Sequence, residues 1–140
     1  MVYIWCIIVL SMDEEKENKA LPASVLLVED AKNWLQINTL FFESLGVTVT
    51  GVTNPHDAIE ALKKGGFTHL ICDGLKGGWK PIAQAAKETG VQKIVVLSGT
   101  ETLREEVETG GFTFVHKQDV TLGEISHKDL LQLPIPPMTS

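Results

Sequence analysis

The stretch Phe67-Thr68-His69-Leu70-Ile71-Cys72-Asp73-Gly74 is a mostly apolar run that ends in an acid and a glycine. This pattern is typical of a short buried strand that ends in a carboxylate and is followed by a turn. Three other apolar runs are also followed by polar or charged residues: Val25–Val28 by Glu29 and Asp30, Ile94–Leu97 by Ser98, and Phe112–His116 by Lys117. Three carboxylates, one hydroxyl and one ammonium group are therefore predicted just after strands.

Helical patterns alternate with these runs. Trp34, Ile37, Phe41 and Leu45 recur at three- and four-residue steps, which predicts a helix from about Lys32 to Leu45. Further helices are predicted to begin at Pro55, Pro81, about Thr102 and Thr121, and to end before Gly65, Gly90, Gly110 and Pro134. The last two carry Glu three residues after Thr, as in a capping box.

Five strands that alternate with helices predict an α/β fold with a doubly wound, five-stranded parallel sheet and helices on both faces. The second strand, from Val47 to Thr50, and the fifth are mixed in polarity, which places them at the edges. The flavodoxin-like order 2-1-3-4-5 follows. Ligands of such sheets bind at the carboxyl ends of the strands, where all five polar site residues are expected.

Composition excludes several classes of protein. A chain of 140 residues with 44% hydrophobic residues is most simply one domain with an ordinary core. Its net charge of −6 gives no basic surface, so nucleic-acid binding is not expected. Cys6 and Cys72 form neither a metal-type spacing nor a disulfide framework, which suits a reducing cytoplasm.

The domain is expected to cover residues 24–132, between an apolar then acidic, disordered extension over 1–23 and a flexible tail over 133–140. The apolar segment from Met1 to Leu10 is too short to span a bilayer, so stable membrane insertion is not expected. It also lacks the basic start and small-residue cleavage site of a signal peptide. We expect Met12 to be the natural start; the alternative is a weak membrane-contacting segment.

The predicted cluster of acids suits phosphoryl chemistry. Three crowded carboxylates resist ionising together, and a divalent cation removes this repulsion. Magnesium prefers oxygen ligands and often pairs with phosphate. Asp73 is the candidate nucleophile, because a carboxylate can accept a phosphoryl group as an acyl phosphate. Lys117 and the Ser98 hydroxyl would help to neutralise the charge of that group. Each feature alone is more often a turn or a cap, but together they follow the right strands in order.

These runs and their polar ends resemble bacterial response-regulator receiver domains over about residues 24–132. The resemblance implies that Glu29 and Asp30 hold Mg²⁺ with Asp73, the phosphoacceptor. The carbonyl of Leu75 would be a further metal ligand, and Lys117 the site lysine.

The resemblance also implies a switch rather than an enzyme. Ser98 would be the switch hydroxyl and Phe114 the aromatic switch residue. The partners would be a sensor histidine kinase or phosphotransfer protein, as phosphohistidine donor, and a downstream protein target.

Two departures from receiver domains concern the loops around the site. Receivers usually place a hydrophobic residue, then Met-Pro, after the phosphoacceptor, but here Asp73 is followed by Gly74-Leu75-Lys76-Gly77-Gly78. A long flexible loop is expected there. Most receivers also have proline after the lysine, and here the residue is Gln118.

Three alternatives remain open. A degenerate receiver would bind partners without being phosphorylated. A phosphatase with an aspartate nucleophile would normally carry a second acid two residues later, where this chain has Leu75. A flavin or dinucleotide binder would normally carry a glycine-rich motif after the first strand, and none is present.

Overall fold

The computed structural model describes residues 23–132, and the predictions made for residues 1–22 and 133–140 lie outside this range. Its parallel sheet has the strand order β2-β1-β3-β4-β5. The strands are β1 (Ser24–Val28), β2 (Thr48–Val52), β3 (His69–Asp73), β4 (Lys93–Ser98) and β5 (Thr113–His116). The predicted fold class, strand order and edge strands are confirmed.

Helices cover both faces of this sheet. They are α1 (Lys32–Ser44), α2 (Pro55–Lys64), α3 (Trp79–Glu88), α4 (Arg104–Thr109), α5 (Lys117–Thr121) and α6 (His127–Gln132). Helices α2, α3 and α4 pack on one face, while α1 and α6 pack on the other. None of the helices between residues 23 and 132 has the length and apolar character needed to cross a bilayer.

The central strands supply both halves of the core. Successive side chains of a strand point to opposite faces, so Leu26 and Val28 pack under α2 and α3. Val25 and Leu27 pack on the other face, with Phe42 of α1. All four strand residues are buried, as expected for a parallel strand covered by helices on both faces.

The α1 helix is confirmed, but its apolar stripe is exposed. We call Trp34, Ile37, Phe41 and Leu45 the α1 stripe; each exposes 42–53% of its surface. Such spacing usually marks the side of a helix that faces the core. Here Phe42, which is almost fully buried, attaches α1 to the sheet instead.

The helix predicted from about Thr102 is present, but it begins two residues later and the predicted capping box of Thr102 and Glu105 is absent. A turn of 3₁₀ helix from Glu101 to Leu103 comes first, and α4 begins at Arg104 without a side-chain cap. The Leu103 N–H donates to the Thr100 carbonyl at 3.0 Å, an i to i+3 bond that tightens this turn. The tighter turn lets Leu103 pack against the core.

The predicted last helix from Thr121 is wrong, because α5 ends at that residue. Gly123 has a φ of +81°, a left-handed conformation that stops the helix. The capping box lies later: the Asp129 N–H donates to Ser126 Oγ at 3.0 Å, and the Ser126 N–H donates to Asp129 Oδ2 at 2.9 Å. This box starts α6.

Candidate functional site

Three carboxylates meet at the carboxyl edge of the sheet. Val28 pairs with Cys72 in the parallel register, so the residues that follow them, Glu29 and Asp73, lie side by side. Glu29, Asp30 and Asp73 can each place a carboxylate oxygen within 4.8 Å of the others. Glu29 is buried, Asp73 is half-buried and Asp30 is exposed. The group therefore opens to solvent on the Asp30 side.

Lys117 supplies the positive charge of this group. Its Nζ lies 2.5 Å from Asp73 Oδ1 and 3.3 Å from Glu29 Oε1. We call Glu29, Asp73 and Lys117 the inner charge cluster. Burial alone would lower the pKa of Lys117, but its hydrogen bond and charge interaction with Asp73, joined by Glu29, outweigh burial and raise this pKa. The ammonium form is held by the two acids.

Glu29 is the member of the inner charge cluster whose negative charge is least well compensated. Burial and then the negative charge of Asp73 raise the pKa of Glu29, while Lys117 and the Ala31 N–H oppose this change. That N–H donates to Glu29 Oε2 at 3.2 Å. One ammonium does not fully offset two neighbouring carboxylates, so the site favours an additional cation.

The segment after Asp73 is a short turn, and the expected long flexible loop is wrong. The Leu75 N–H donates to Asp73 Oδ2 at 3.1 Å, and the Gly78 N–H donates to the Leu75 carbonyl at 2.9 Å. Leu75 and Lys76 have left-handed φ values of 50° and 52°, which are costly for residues with side chains. Helix α3 then begins at Trp79 rather than Pro81, because the Trp79 side chain is buried in the core.

Ser98 ends β4 beside Asp73, as its strand position predicts. Its Oγ accepts the Thr100 N–H at 3.0 Å. A Cβ on Gly74 would lie only 3.1 Å from this Oγ and 3.3 Å from Leu103 Cδ2. The glycine that replaces the usual hydrophobic residue therefore gives the Ser98 side chain its space.

Phe114 lies in the core with 5% of its surface exposed, on the α3 and α4 side of β5. The guanidinium of Arg104 lies over its ring, 4.7 Å from the centroid. Arg104 Nε also contacts Glu101 Oε2, and its Nη1 lies 3.6 Å from Glu108 Oε2. We call Glu101, Arg104 and Glu108 the outer charge cluster.

The sequence interpretation missed Arg104. The cation–π contact depends on where α4 begins, and the helix begins two residues after the predicted start near Thr102. Glu and Arg at three- and four-residue steps were the available signal for the ion pairs. No pattern in the sequence predicted the contact between Arg104 and Phe114.

A cavity of about 450 Å³ lies at the carboxyl edge of the sheet, beside Asp73. Asp30, Asp73, Ser98 and the turn around Leu75 line it. Two of the three carboxylates, those of Asp30 and Asp73, line this open space, and Glu29 lies next to them. Carboxylate oxygens are the ligands that a hard divalent cation prefers. The structure thus brings together the predicted acids, the hydroxyl and, through Asp73, the lysine.

No protein-family model matches the sequence, and no curated protein matches it either. Solved structures do match. A response regulator receiver protein from Sinorhizobium medicae is 24% identical, with a TM-score of 0.63 over 79% of this chain and 89% of its own. A receiver domain from Clostridium thermocellum is 16% identical, with a TM-score of 0.65 over 77% and 87%.

A third solved structure is a response regulator from Burkholderia pseudomallei, described with a phosphorylated aspartic acid, a calcium ion and citrate. It is 17% identical, with a TM-score of 0.65 over 79% of this chain and 65% of its own. At these identities the comparisons establish that this chain has the receiver-domain fold.

Proposed function

We propose that this chain is a receiver domain that acts as a phosphoacceptor switch. In this proposal Asp73 takes a phosphoryl group from a phosphohistidine of a sensor histidine kinase or phosphotransfer protein. The observation that carries the proposal is the position of Asp73. Its carboxylate lies beside Glu29 and Asp30 and contacts the Lys117 ammonium, on an open cavity that Ser98 also lines.

The transfer is an in-line displacement at phosphorus. A carboxylate oxygen of Asp73 forms a new O–P bond while the donor's N–P bond breaks, and the bonding pair returns to the imidazole nitrogen. Lys117 begins 2.5 Å from Asp73 Oδ1, so its ammonium can follow charge that develops on the phosphoryl oxygens. The Ser98 hydroxyl accepts the Thr100 N–H, so its own proton is available to be donated to one of them.

Mg²⁺ is the proposed cofactor, held by Glu29, Asp30 and Asp73, and when bound it would supply positive charge for the phosphoryl oxygens. The donor set fits this ion, because three carboxylates share one lysine. Leu75 remains a proposed carbonyl ligand. That carbonyl accepts the Gly78 N–H in the described turn, so a metal would have to share it with this bond.

Output is proposed to pass through protein contacts, to a downstream target, in the cytoplasm. Ser98 and Phe114 would couple the phosphate to the surface of α4 and β5. Movement of Ser98 toward the phosphate pulls the loop after β4, and Phe114 turns into the space that opens. The net charge of −6 argues against a direct nucleic-acid target.

The test is phosphorylation by a small donor. The protein is incubated with Mg²⁺ and either an acyl phosphate or a phosphoramidate, whose P–N bond stands in for phosphohistidine, and its intact mass is measured. We expect a gain of one phosphoryl group, lost in Asp73→Asn and kept in Asp119→Asn, which removes an acid of α5 outside the group of three carboxylates. Labelling that persists in Asp73→Asn would contradict the assignment.

A degenerate receiver is the second candidate, favoured by the turn after Asp73. The Leu75 N–H donates a hydrogen bond to Asp73 Oδ2, an oxygen that could otherwise take the phosphoryl group. The left-handed backbone conformations of Leu75 and Lys76 hold this turn in place. Such a protein would bind its partners without being phosphorylated. An unchanged intact mass with both donors and saturating Mg²⁺ would favour this alternative.

A further inference from the structure

We propose that α1 is the contact surface of a homodimer, in which the α1 stripe packs against the same stripe of a second copy. This proposal does not depend on phosphorylation of Asp73. It starts from the exposure of Trp34, Ile37, Phe41 and Leu45, each of which leaves 42–53% of its surface open to solvent among the described residues. Leu40 beside them is 60% exposed.

The stripe is a fixed surface. Phe42 and the half-buried Leu35, about a quarter turn around the helix from the stripe, attach α1 to the sheet. His127 of α6 stacks on the Phe41 ring with centroids 4.5 Å apart, and its Nε2 lies 2.8 Å from Asn38 Oδ1. Since α1 is held from two directions, the stripe is presented without further ordering cost.

The charge pattern favours a second copy as the occupant. Lys32 and Glu43 are the charged residues of α1, and the helical period places both on the side away from the stripe. Two copies that each carry a net charge of −6 repel through most of their surfaces. The uncharged face around Ile37 is where they can approach.

The composition of the stripe supports the same occupant. Transient interfaces with other proteins usually carry charged groups that orient the partner, whereas homodimer interfaces are more apolar. The α1 stripe offers apolar side chains alone. A second copy of the chain carries the same apolar stripe, so the two surfaces match.

The spacing of the stripe fits helix pairing. Its first two steps, of three and four residues, follow the seam of a coiled coil, and Leu45 extends the stripe to a length of about 17 Å at 1.5 Å per residue. A two-fold antiparallel pairing makes the contacts reciprocal. It sets Trp34 of one copy opposite Leu45 of the other, and Ile37 opposite Phe41.

Sedimentation velocity of the full chain over a wide concentration range tests this pairing. We expect the mass to rise with concentration from 15.3 kDa to twice that value. Ile37→Glu places a carboxylate in the seam and should weaken dimerisation by about tenfold or more. Gln36→Glu adds the same charge to the same helix, on the side away from the seam, and should leave the dimer largely intact.

The same variants separate this proposal from the proposed function. Ile37 is exposed, so Ile37→Glu should fold normally by circular dichroism and still take one phosphoryl group at Asp73. A full chain that sediments as a monomer at every concentration overturns the homodimer, whether the stripe is open or covered by another part of the chain. A dimer that survives Ile37→Glu and Trp34→Glu unchanged overturns the assignment of its surface to α1.

Discussion

Two clusters of charged side chains follow strands at the carboxyl edge of the sheet, and they differ in burial. The inner charge cluster of Glu29, Asp73 and Lys117 is largely withdrawn from water, with Glu29 only 4% exposed. The outer charge cluster has the same kinds of ion pair, but its side chains are 40–57% exposed. In the inner cluster, burial and then the charge of Asp73 raise the pKa of Glu29. In the outer cluster, the hydrogen bond with Arg104 lowers the pKa of Glu101.

This difference teaches what each cluster is suited to do. Water screens the outer pairs, so they contribute little to stability and can be exchanged at low cost. The inner pairs act in a medium of lower polarity, where a removed partner leaves a charge without compensation. Chemistry therefore suits the inner cluster, and reversible control suits the outer one.

The largest expected effect is at Lys117. Lys117→Met leaves the Glu29 and Asp73 carboxylates without their ammonium, and should lower the free energy of unfolding by about 1–3 kcal/mol at pH 7. This is less than for a fully buried pair, because 35% of the Lys117 side chain is exposed. Urea unfolding of the metal-free protein measures it. Lys80→Met is the matched control, since the Lys80 pair with Glu106 is exposed on both sides and should matter far less.

Magnesium should partly reverse the repulsion within the inner cluster. An ion that binds only where the three carboxylates are gathered stabilises the folded state, by about 1.4 kcal/mol at ten times its dissociation constant. The melting temperature should therefore rise with Mg²⁺ in the wild type and rise less in Asp30→Asn. Glu43→Asn is the control, an exposed acid of α1 remote from the site. Equal melting temperatures with and without Mg²⁺ would contradict the metal site.

Glu29 should give the inner cluster a characteristic pH dependence. Its pKa is raised above 4.5 in the folded protein, so the folded state holds a proton that the unfolded chain has already lost. As the pH rises from 4.5 through the folded pKa, this group's contribution to stability is lost. Glu29→Gln, which stays neutral, should therefore gain stability relative to metal-free wild type as the pH rises toward 7. A difference between the two proteins that does not change with pH would contradict the raised pKa.

The two clusters also differ in how far the sequence predicts them. Asp73, Glu29 and Lys117 directly follow apolar runs, and parallel strands bring their carboxyl ends to one edge, so the pattern alone predicts their neighbourhood. Arg104 reaches Phe114 only because a 3₁₀ turn delays the start of α4. That turn depends on tertiary packing of Leu103, which no local spacing reveals.

The α1 stripe is a second feature that the sequence predicts only in part. Its spacing predicts the helix correctly, but periodicity cannot tell which apolar side of a helix meets the sheet. Phe41 and Phe42 are neighbours in sequence, and the structure buries Phe42 while Phe41 stays 53% exposed. Only the position of β1 and α6 beneath the helix decides between them.

The smallest effect on stability, and the sharpest contrast with the inner cluster, is expected at Arg104. Arg104→Gln removes exposed ion pairs, so the melting temperature should stay near that of the wild type. It also removes the cation over the Phe114 ring, so the ring should move out of its position in the core more easily. Amide exchange of residues 99–116 should rise by about two- to fivefold before phosphorylation, because this region opens locally rather than with the whole fold.

Substitutions of the two partners of Arg104, Glu101 and Glu108, should have different effects on amide exchange. Glu101 lies on the loop that follows Ser98, so a pull on that loop moves Glu101 and, through it, the guanidinium over Phe114. Glu101→Gln should therefore resemble Arg104→Gln, and both should shrink the further change that phosphorylation of Asp73 causes. Glu108→Gln removes the partner within α4, remote from Ser98, and should leave that change intact. If Glu101→Gln and Glu108→Gln alter exchange equally, the outer cluster is a general surface contact and the route from Ser98 to Phe114 lies elsewhere.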